Sequence, residues 1–380
     1  MSTRRNRCSS VVVIDRYLAT LDHETLLVRR GARSGCFTII AVHSTARGPA
    51  LGGCRMWHYA DSRAAVRDAL RLSQAMTLKS AVAGLPLGGG KGVIMAPDPA
   101  APGPNRRRGC RADALRDFGD TVEQLGGSYI TAEDVGTSSR DMQLIASVTS
   151  HVSGLSRRHG GSGDPSPWTA LGVETAIRVC CERVFGLPSL EGRTIAIAGL
   201  GNVGGRVATA CAKAGATLLV TDIDPRKRAL ADSLNARWVE PDEALTAPVD
   251  VFAPCALGGL LDHENAVRLG APIVAGAANN QLADDNVAAV LAQRGVLWAP
   301  DFVVNAGGII NISVELQPGG YDARRAGRLV RGIGDTLRRI FDDAAARDAT
   351  PLDAALVLAR QRLAQAGGPT PPAVAGARQR

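Results

Sequence analysis

The sequence predicts an α/β protein of two domains with helices at its C-terminal end, and three observations predict it. Short apolar runs at 216 to 221 (ATLLVT), 249 to 253 (VDVFA), 272 to 275 (PIVA) and 295 to 299 (GVLWA) alternate with helix-length segments, the pattern of a mostly parallel, doubly wound sheet. RTIAIAGLGNVGGRVA, at 193 to 208, joins an apolar strand to a helix start through a glycine turn. Upstream, SRRHGGSGDPSPW at 156 to 168 carries three glycines and two prolines and marks a connection between folded parts.

At 380 residues, 45% hydrophobic and 21% charged, the chain can build two substantial cores. The expected division is an N-terminal α/β substrate domain over 1–155 and a Rossmann dinucleotide-binding domain over 156–320. C-terminal helices over 321–365 are expected to pack back on the first domain, and 366–380 to be a disordered tail.

Within the first part, 36 to 42 (CFTIIAV) reads as a strand, and 62 to 80 (SRAAVRDALRLSQAMTLKS) as a helix opened by Asp61 or Ser62. Leu85 to Gly90 reads as a glycine-rich turn and Gly92 to Ala96 as a strand, which puts Lys91 at a loop-to-strand junction. A Pro/Gly/Arg loop at 101 to 112 precedes a helix from about 113 to 126. SYITAEDVGTSSRDM then reads as a strand delivering Glu133 and Asp134 into a loop. Adjacent carboxylates at a strand end point to opposite sides, so one of them faces a shared cleft. Beyond 321, Leu329, Ile333, Leu337 and Phe341 fall on one helical face, and a further helix starts at Thr350-Pro351.

The net charge of +8 does not point to nucleic acid, because the arginines are dispersed along helical segments among Asp and Glu. Eight cysteines without a CxxC pair fit reduced thiols in the cytosol and argue against structural zinc, so no metal is expected. MSTRRNRC has no apolar leader core and no run approaches a membrane span, which together predict a cytoplasmic chain.

Only four of the 44 basic residues are lysines, at 79, 91, 213 and 227, and two of these lie in MTLKSAVAGLPLGGGKGVIM. Arginine keeps its proton, whereas burial or a second cation drives lysine down from about 10.4 towards neutrality. Lysine is needed where a proton must move or where a slim ammonium must reach. Ala69, Leu72, Met76 and Lys79 recur at i, i+3, i+7 and i+10, so Lys79 shares an apolar stripe and faces inward; the alternative is a lysine snorkelling from a helix end.

Gly199, Gly201 and Gly204, with Asn202 and Val203 between them, form GxGxxG at a strand-to-helix turn, where amides and helix dipole hold a pyrophosphate. Asp222 ends the next strand, 23 residues after Gly199, where a carboxylate binds the ribose diol and repels a 2′-phosphate. The cofactor read from this is NAD; nearby Arg226 and Lys227 argue the other way.

The chain resembles the glutamate/leucine/phenylalanine/valine dehydrogenases over about 20 to 345, nearest the leucine branch, with phenylalanine and valine dehydrogenases next. The motifs are GPALGGCRMW (48 to 57), MTLKSAVAGLPLGGGK (76 to 91), YITAEDVGT (129 to 137), GDPSPWTALGV (163 to 173), AGLGNVG (198 to 204), APCALGG (253 to 259), GAANNQL (276 to 282) and PDFVVNAGG (300 to 308). The resemblance implies NAD-dependent, reversible oxidative deamination of an L-amino acid to its 2-oxo acid and ammonia, by a homo-oligomer. It implies that Lys79 holds the substrate carboxylate, that Lys91 activates water, and that Asp134 passes protons to and from the amino group. Lys91 is then expected to owe a lowered pKa to a second cation and a dry cleft.

Gly52 and Gly53 match glycines whose carbonyls face the substrate nitrogen or water, Asn279 an asparagine at the substrate carboxylate, and Asn305 and Thr169 residues at the nicotinamide. Leu51, Ala132, Ile309 and Ile312 match the side-chain pocket, whose aliphatic character implies leucine, valine or isoleucine as substrate. An aromatic amino-acid dehydrogenase (phenylalanine or tryptophan) and a non-catalytic dinucleotide-binding regulator are the rival readings. Trp168 departs from the smaller residue of the family and is expected to restrict the hinge or reshape the nicotinamide side.

Overall fold

A computed structural model describes residues 21–97 and 111–366; the expectations for 101–110 and for the tail from 367 lie outside the described residues. The first of two sheets holds β1 (Thr25–Arg30), β2 (Phe37–Ser44), β3 (Ala50–Trp57), β4 (Gly88–Met95) and β5 (Tyr129–Glu133) in the order β1-β2-β4-β3-β5. The central β4 runs antiparallel to β2 and parallel to β3, which is parallel to β5. Helix α1 (Ser62–Val82), capped by the Asp61 carboxylate on the Ala64 amide, lies on one face. There Ala65 and Ala69 meet Ile39, Ala41 and Val93. The alternate residues Ile40, Val42 and Ile94 pack on the other face against α2 (Arg111–Glu123) and α3 (Ser139–Ile145).

The second sheet is wholly parallel: β6 (Thr194–Ala198), β7 (Thr217–Thr221), β8 (Arg237–Trp238), β9 (Val251–Pro254), β10 (Ile273–Val274) and β11 (Leu297–Trp298), in the order β11-β10-β9-β6-β7-β8. Strand order reverses between β6 and β9, which places the glycine turn at the crevice where such sheets bind ligands. The remaining helices are α4 (Ser166–Phe185), α5 (Gly204–Lys213), α6 (Arg228–Ser233), α7 (Pro241–Thr246), α8 (His263–Arg268), α9 (Val287–Gln293), α10 (Asp301–Val304), α11 (Gly307–Glu315), α12 (Ala323–Arg331), α13 (Ile333–Arg347) and α14 (Pro351–Ala364). Among the described residues no helix is long and apolar enough to cross a membrane.

The last helix returns to the first sheet. Ala355, Leu358 and Ala359 of α14 share a core with Ala81 and Val82 at the end of α1. The Arg362 guanidinium donates to the carbonyl of Val82 and, at 3.3 Å, to that of Ala81, which also accepts the Gly84 amide, and Arg47 donates to the Arg362 carbonyl at 2.7 Å.

Three local expectations are corrected. Gly88, Gly89 and Gly90 are strand, not turn, and Lys91 sits within β4. Their glycine is required by close packing rather than by a reversal: none has positive φ, and a Cβ at Gly90 would lie 2.6 Å from the Tyr129 ring. The helix expected to run to about 126 ends at Glu123, ahead of a turn in which Gly126 and Gly127 take positive φ. Leu329 does not share the buried face of Ile333, Leu337 and Phe341, because the helix breaks at Gly332 and leaves it 41% exposed.

Candidate active site

Lys91 projects from the middle of β4, opposite Ala41 of β2, and is 5% exposed. Its Nζ lies 2.8 Å from Asp134 Oδ2. Asp134 stands one residue past β5, where its amide donates to the Thr137 hydroxyl at 2.9 Å and that hydroxyl donates to the Cys54 carbonyl at 2.8 Å. Of the two adjacent carboxylates, the one that meets the lysine is therefore set by a turn tied to β3.

The same Asp134 Oδ2 accepts from Arg55 Nε at 2.9 Å. Burial pushes Lys91 below the ordinary lysine range, Asp134 opposes this, and Arg55 adds to it. Burial pushes Asp134 up, but Lys91 and Arg55 together win and hold it below the usual carboxylate range. The dry surroundings and second cation expected for Lys91 are thus both present, and the cation is Arg55.

Lys79 lies in the last turn of α1, part-buried, and its Nζ donates to Asn279 Oδ1 at 3.1 Å, a contact between the two halves of the chain. Burial lowers it to about 8; Asp301 opposes and Lys91 adds. Asn279 Oδ1 also accepts from Asn305 Nδ2 at 2.9 Å, and that amide donates to the Ala277 carbonyl at 3.1 Å. Asn305 Oδ1 is buried with no partner among the described residues, an acceptor open to a further donor.

Leu51, Ala132, Ile309 and Ile312, between 1% and 8% exposed, belong to one apolar cluster beside these groups. Gly52 lies within β3. Its carbonyl accepts the Tyr129 hydroxyl at 2.7 Å, and a Cβ there would meet the Gly90 carbonyl of β4. At Gly53 a Cβ would come within 2.7 Å of the Asp134 Cβ, so both glycines let strands and the Asp134 turn approach.

At the second sheet, Gly199 has φ +104° and Gly204 opens α5, where a Cβ would strike the Gly199 carbonyl; a Cβ on Gly201 would meet open space. Asn202 is exposed and Val203 half-buried before the first turn. Asp222 follows β7, and its two oxygens accept the amides of Leu200 at 2.6 Å and Asp224 at 2.8 Å, tying it to the glycine turn. Arg226 is held by Asp224 through contacts of 2.9 to 3.2 Å. Thr169 donates to the Pro165 carbonyl at 3.2 Å within α4. These residues fit a dinucleotide: a turn with an open glycine, a carboxylate beyond the next strand, and an unpartnered amide oxygen for a carboxamide. Trp168 lies with its ring against Gly327 of α12.

Arg55, Asp68 and Tyr59 belong to the site and are absent from the sequence reading. Arg55 Nη1 donates to Asp68 Oδ2 at 2.8 Å, and the Tyr59 hydroxyl to the same oxygen at 2.7 Å. A signal existed: Leu51, Gly53 and Arg55 share one side of β3 by its two-residue period, and Asp68 precedes Lys79 by eleven residues, about three helical turns.

Residues 26–151 match the family described as "Glu/Leu/Phe/Val dehydrogenase, dimerisation domain" and 219–368 that described as "Glutamate/Leucine/Phenylalanine/Valine dehydrogenase". Residues 179–256 also match "D-isomer specific 2-hydroxyacid dehydrogenase, NAD binding domain". The chain is 43% identical to leucine dehydrogenase of Bacillus subtilis over 352 residues, 92% of each chain. It is 42% identical to valine dehydrogenase of Streptomyces virginiae, over 90% of this chain and 94% of that one. The crystal structure of L-tryptophan dehydrogenase from Nostoc punctiforme superimposes with a TM-score of 0.79 at 37% identity, covering 93% of this chain and 99% of the other.

Proposed function

The chain belongs to the glutamate/leucine/phenylalanine/valine dehydrogenase family, and on that premise we propose that its substrates are the branched-chain amino acids leucine, valine and isoleucine, with NAD as cofactor. It is an amino-acid dehydrogenase that works with a nicotinamide dinucleotide. The observation that carries the branched-chain reading is the buried aliphatic cluster of Leu51, Ala132, Ile309 and Ile312; the deamination rests on a contrast in partners, one lysine on a neutral amide, free to take a carboxylate, and the other on a carboxylate, ready to trade a proton.

In this reaction Lys79, assisted by Asn279, binds the substrate carboxylate, and the aliphatic side chain lies against Leu51, Ala132, Ile309 and Ile312. Gly199, Gly201, Asn202, Val203, Gly204 and Asp222 would hold NAD, with Thr169 and Asn305 at the nicotinamide, and the bound cofactor would supply the acceptor for the Cα hydride. Asp134 takes the proton that frees the amine. Lys91, unprotonated, takes a proton from the water that attacks the imine carbon. Asp134 returns a proton to the departing nitrogen and takes the hydroxyl proton as the C–N bond breaks, leaving ammonia and the 2-oxo acid. Gly52 and Gly53 let β4 and the Asp134 turn close up on β3 around this cleft. NAD over NADP is supported by the Asp222 carboxylate and by Arg226, whose charge Asp224 already engages.

Formation of reduced cofactor, followed by its near-ultraviolet absorbance with a panel of L-amino acids and with NAD or NADP, tests the proposal. Leucine, valine and isoleucine should exceed phenylalanine and tryptophan in kcat/KM, glutamate should be poor, and NAD should be preferred. An aromatic substrate is the second reading, favoured by the likeness to the tryptophan dehydrogenase structure; a tenfold preference for phenylalanine or tryptophan over leucine would establish it instead.

A homo-oligomer is supported by the match to a dimerisation domain and by β1, an edge strand with Val28 48% exposed; light scattering on the eluting protein reads its mass. A cytoplasmic location is supported by the six free cysteines among the described residues.

A further inference from the structure

The Lys91–Asp134 pair is braced from behind. Asp134 Oδ2 accepts from Lys91 at 2.8 Å and from Arg55 Nε at 2.9 Å, and the other edge of the Arg55 guanidinium reaches Asp68 Oδ2 at 2.8 Å. Asp68 is fixed in turn by the Tyr59 hydroxyl at 2.7 Å and by Arg71 Nη2 at 3.1 Å. This outer end opens on a cavity of about 520 Å³ bordered by Trp57, Tyr59, Arg71 and Val135, so the network runs from the buried lysine to the surface. A planar guanidinium engaged at two edges has its orientation fixed; an ammonium, a point charge, cannot span both carboxylates.

We propose that Arg55 is a positioning residue for the deamination, holding the Asp134 carboxylate against Lys91 while Asp68 holds Arg55. The inference rests on the proposed roles of Lys91 and Asp134. Its electrostatic consequence has a definite sign. A cation near Lys91 and Asp134 favours the deprotonated form of both, and the Asp68 charge partly cancels that effect at Lys91. Further groups around the pair are Lys79 of α1, the Cys54 thiol of β3 and the Tyr129 phenol of β5, the last two buried and pushed up.

With only four lysines, the protein labelled with carbon-13 at lysine Cε gives a spectrum in which the Lys91 resonance can be assigned by its loss in Lys91→Gln. Arg55→Gln should raise the Lys91 midpoint by at least about half a pH unit, and Asp68→Asn should lower it. The acid limb of the kcat/KM profile for deamination should follow each shift. Arg55→Lys, which keeps the charge but not the second contact, should leave the midpoint near that of the unaltered protein while kcat falls about tenfold or more. A Lys91 midpoint unmoved in both charge variants, or moved in the same direction by both, overturns the inference. Should Arg55→Gln not fold, Arg55→Lys and Asp68→Asn decide: an unmoved midpoint in Asp68→Asn, or unchanged kcat in Arg55→Lys, overturns it. Absence of turnover in the unaltered protein would instead sink the function proposed above, and the lysine titration would still read the network.

Discussion

Lys79 and Lys91 stand twelve residues apart and are both lowered by burial, yet their partners differ in kind. Lys91 is already neutralised by a carboxylate that a second cation shares, whereas the Lys79 ammonium donates, among the described residues, to an amide oxygen that also accepts from Asn305. The first arrangement suits a proton that moves between two groups. The second gives the ammonium a neutral hydrogen-bond partner, with Asp301 acting on it only through space, which suits an incoming anion. What a buried lysine can do is therefore decided by whether its nearest acceptor is charged.

Lys91→Arg is the harshest way to break the comparison, because it keeps the charge and removes the exchangeable proton. Turnover should fall about 10²- to 10⁴-fold with cofactor binding unchanged, measured by steady-state rates beside a cofactor titration. More than a tenth of the activity surviving would mean that the two lysines do not divide the work as proposed. Lys79→Met should act differently, lowering kcat/KM for leucine about ten- to a hundredfold, the worth of one charge-assisted hydrogen bond, chiefly through KM. If kcat alone fell, Lys79 would belong with the proton transfer rather than with binding.

A gentler test uses pH. The Lys79 pKa is depressed from its ordinary value to about 8, so the cation is present below that pH and lost as pH rises through it. KM for leucine should climb above about pH 8, and the climb should vanish in Lys79→Met. Smallest is a change touching neither lysine: Ala132→Gly should narrow the preference for leucine over phenylalanine by about tenfold, one methyl's worth in an apolar pocket, without displacing either pH limb.

Legibility in the sequence followed the range of the interactions. The strand-turn-helix at 193 to 208 and Asp222 after β7 are close in sequence and set by local chemistry, and their geometry is as read. Lys79 was readable from helical period alone. By contrast, Gly88 to Gly90 carries the composition of a turn, and only the neighbouring Ser44 carbonyl, Thr77 and Tyr129 ring explain why a central strand lacks side chains there. Arg55 was hidden because its partners, Asp68 and Asp134, lie 13 and 79 residues away, and nothing local marks an arginine as bridging them. Leu329 was misplaced because the periodicity runs unbroken across Gly332 while the backbone does not.

The contact of Arg362 with the end of α1 sets an order of events during synthesis. The helix that carries Lys79 is translated early, but the carbonyl of Val82 is met by a guanidinium 280 residues later in the chain. A nascent chain that has released both sheets still lacks this clasp, so the carboxylate-binding lysine gains its final support only as the last helix emerges. A chain stopped short of residue 362 would carry every group proposed for the chemistry and leave the last turn of α1 open, and a tag joined beyond Ala366 would leave the clasp intact.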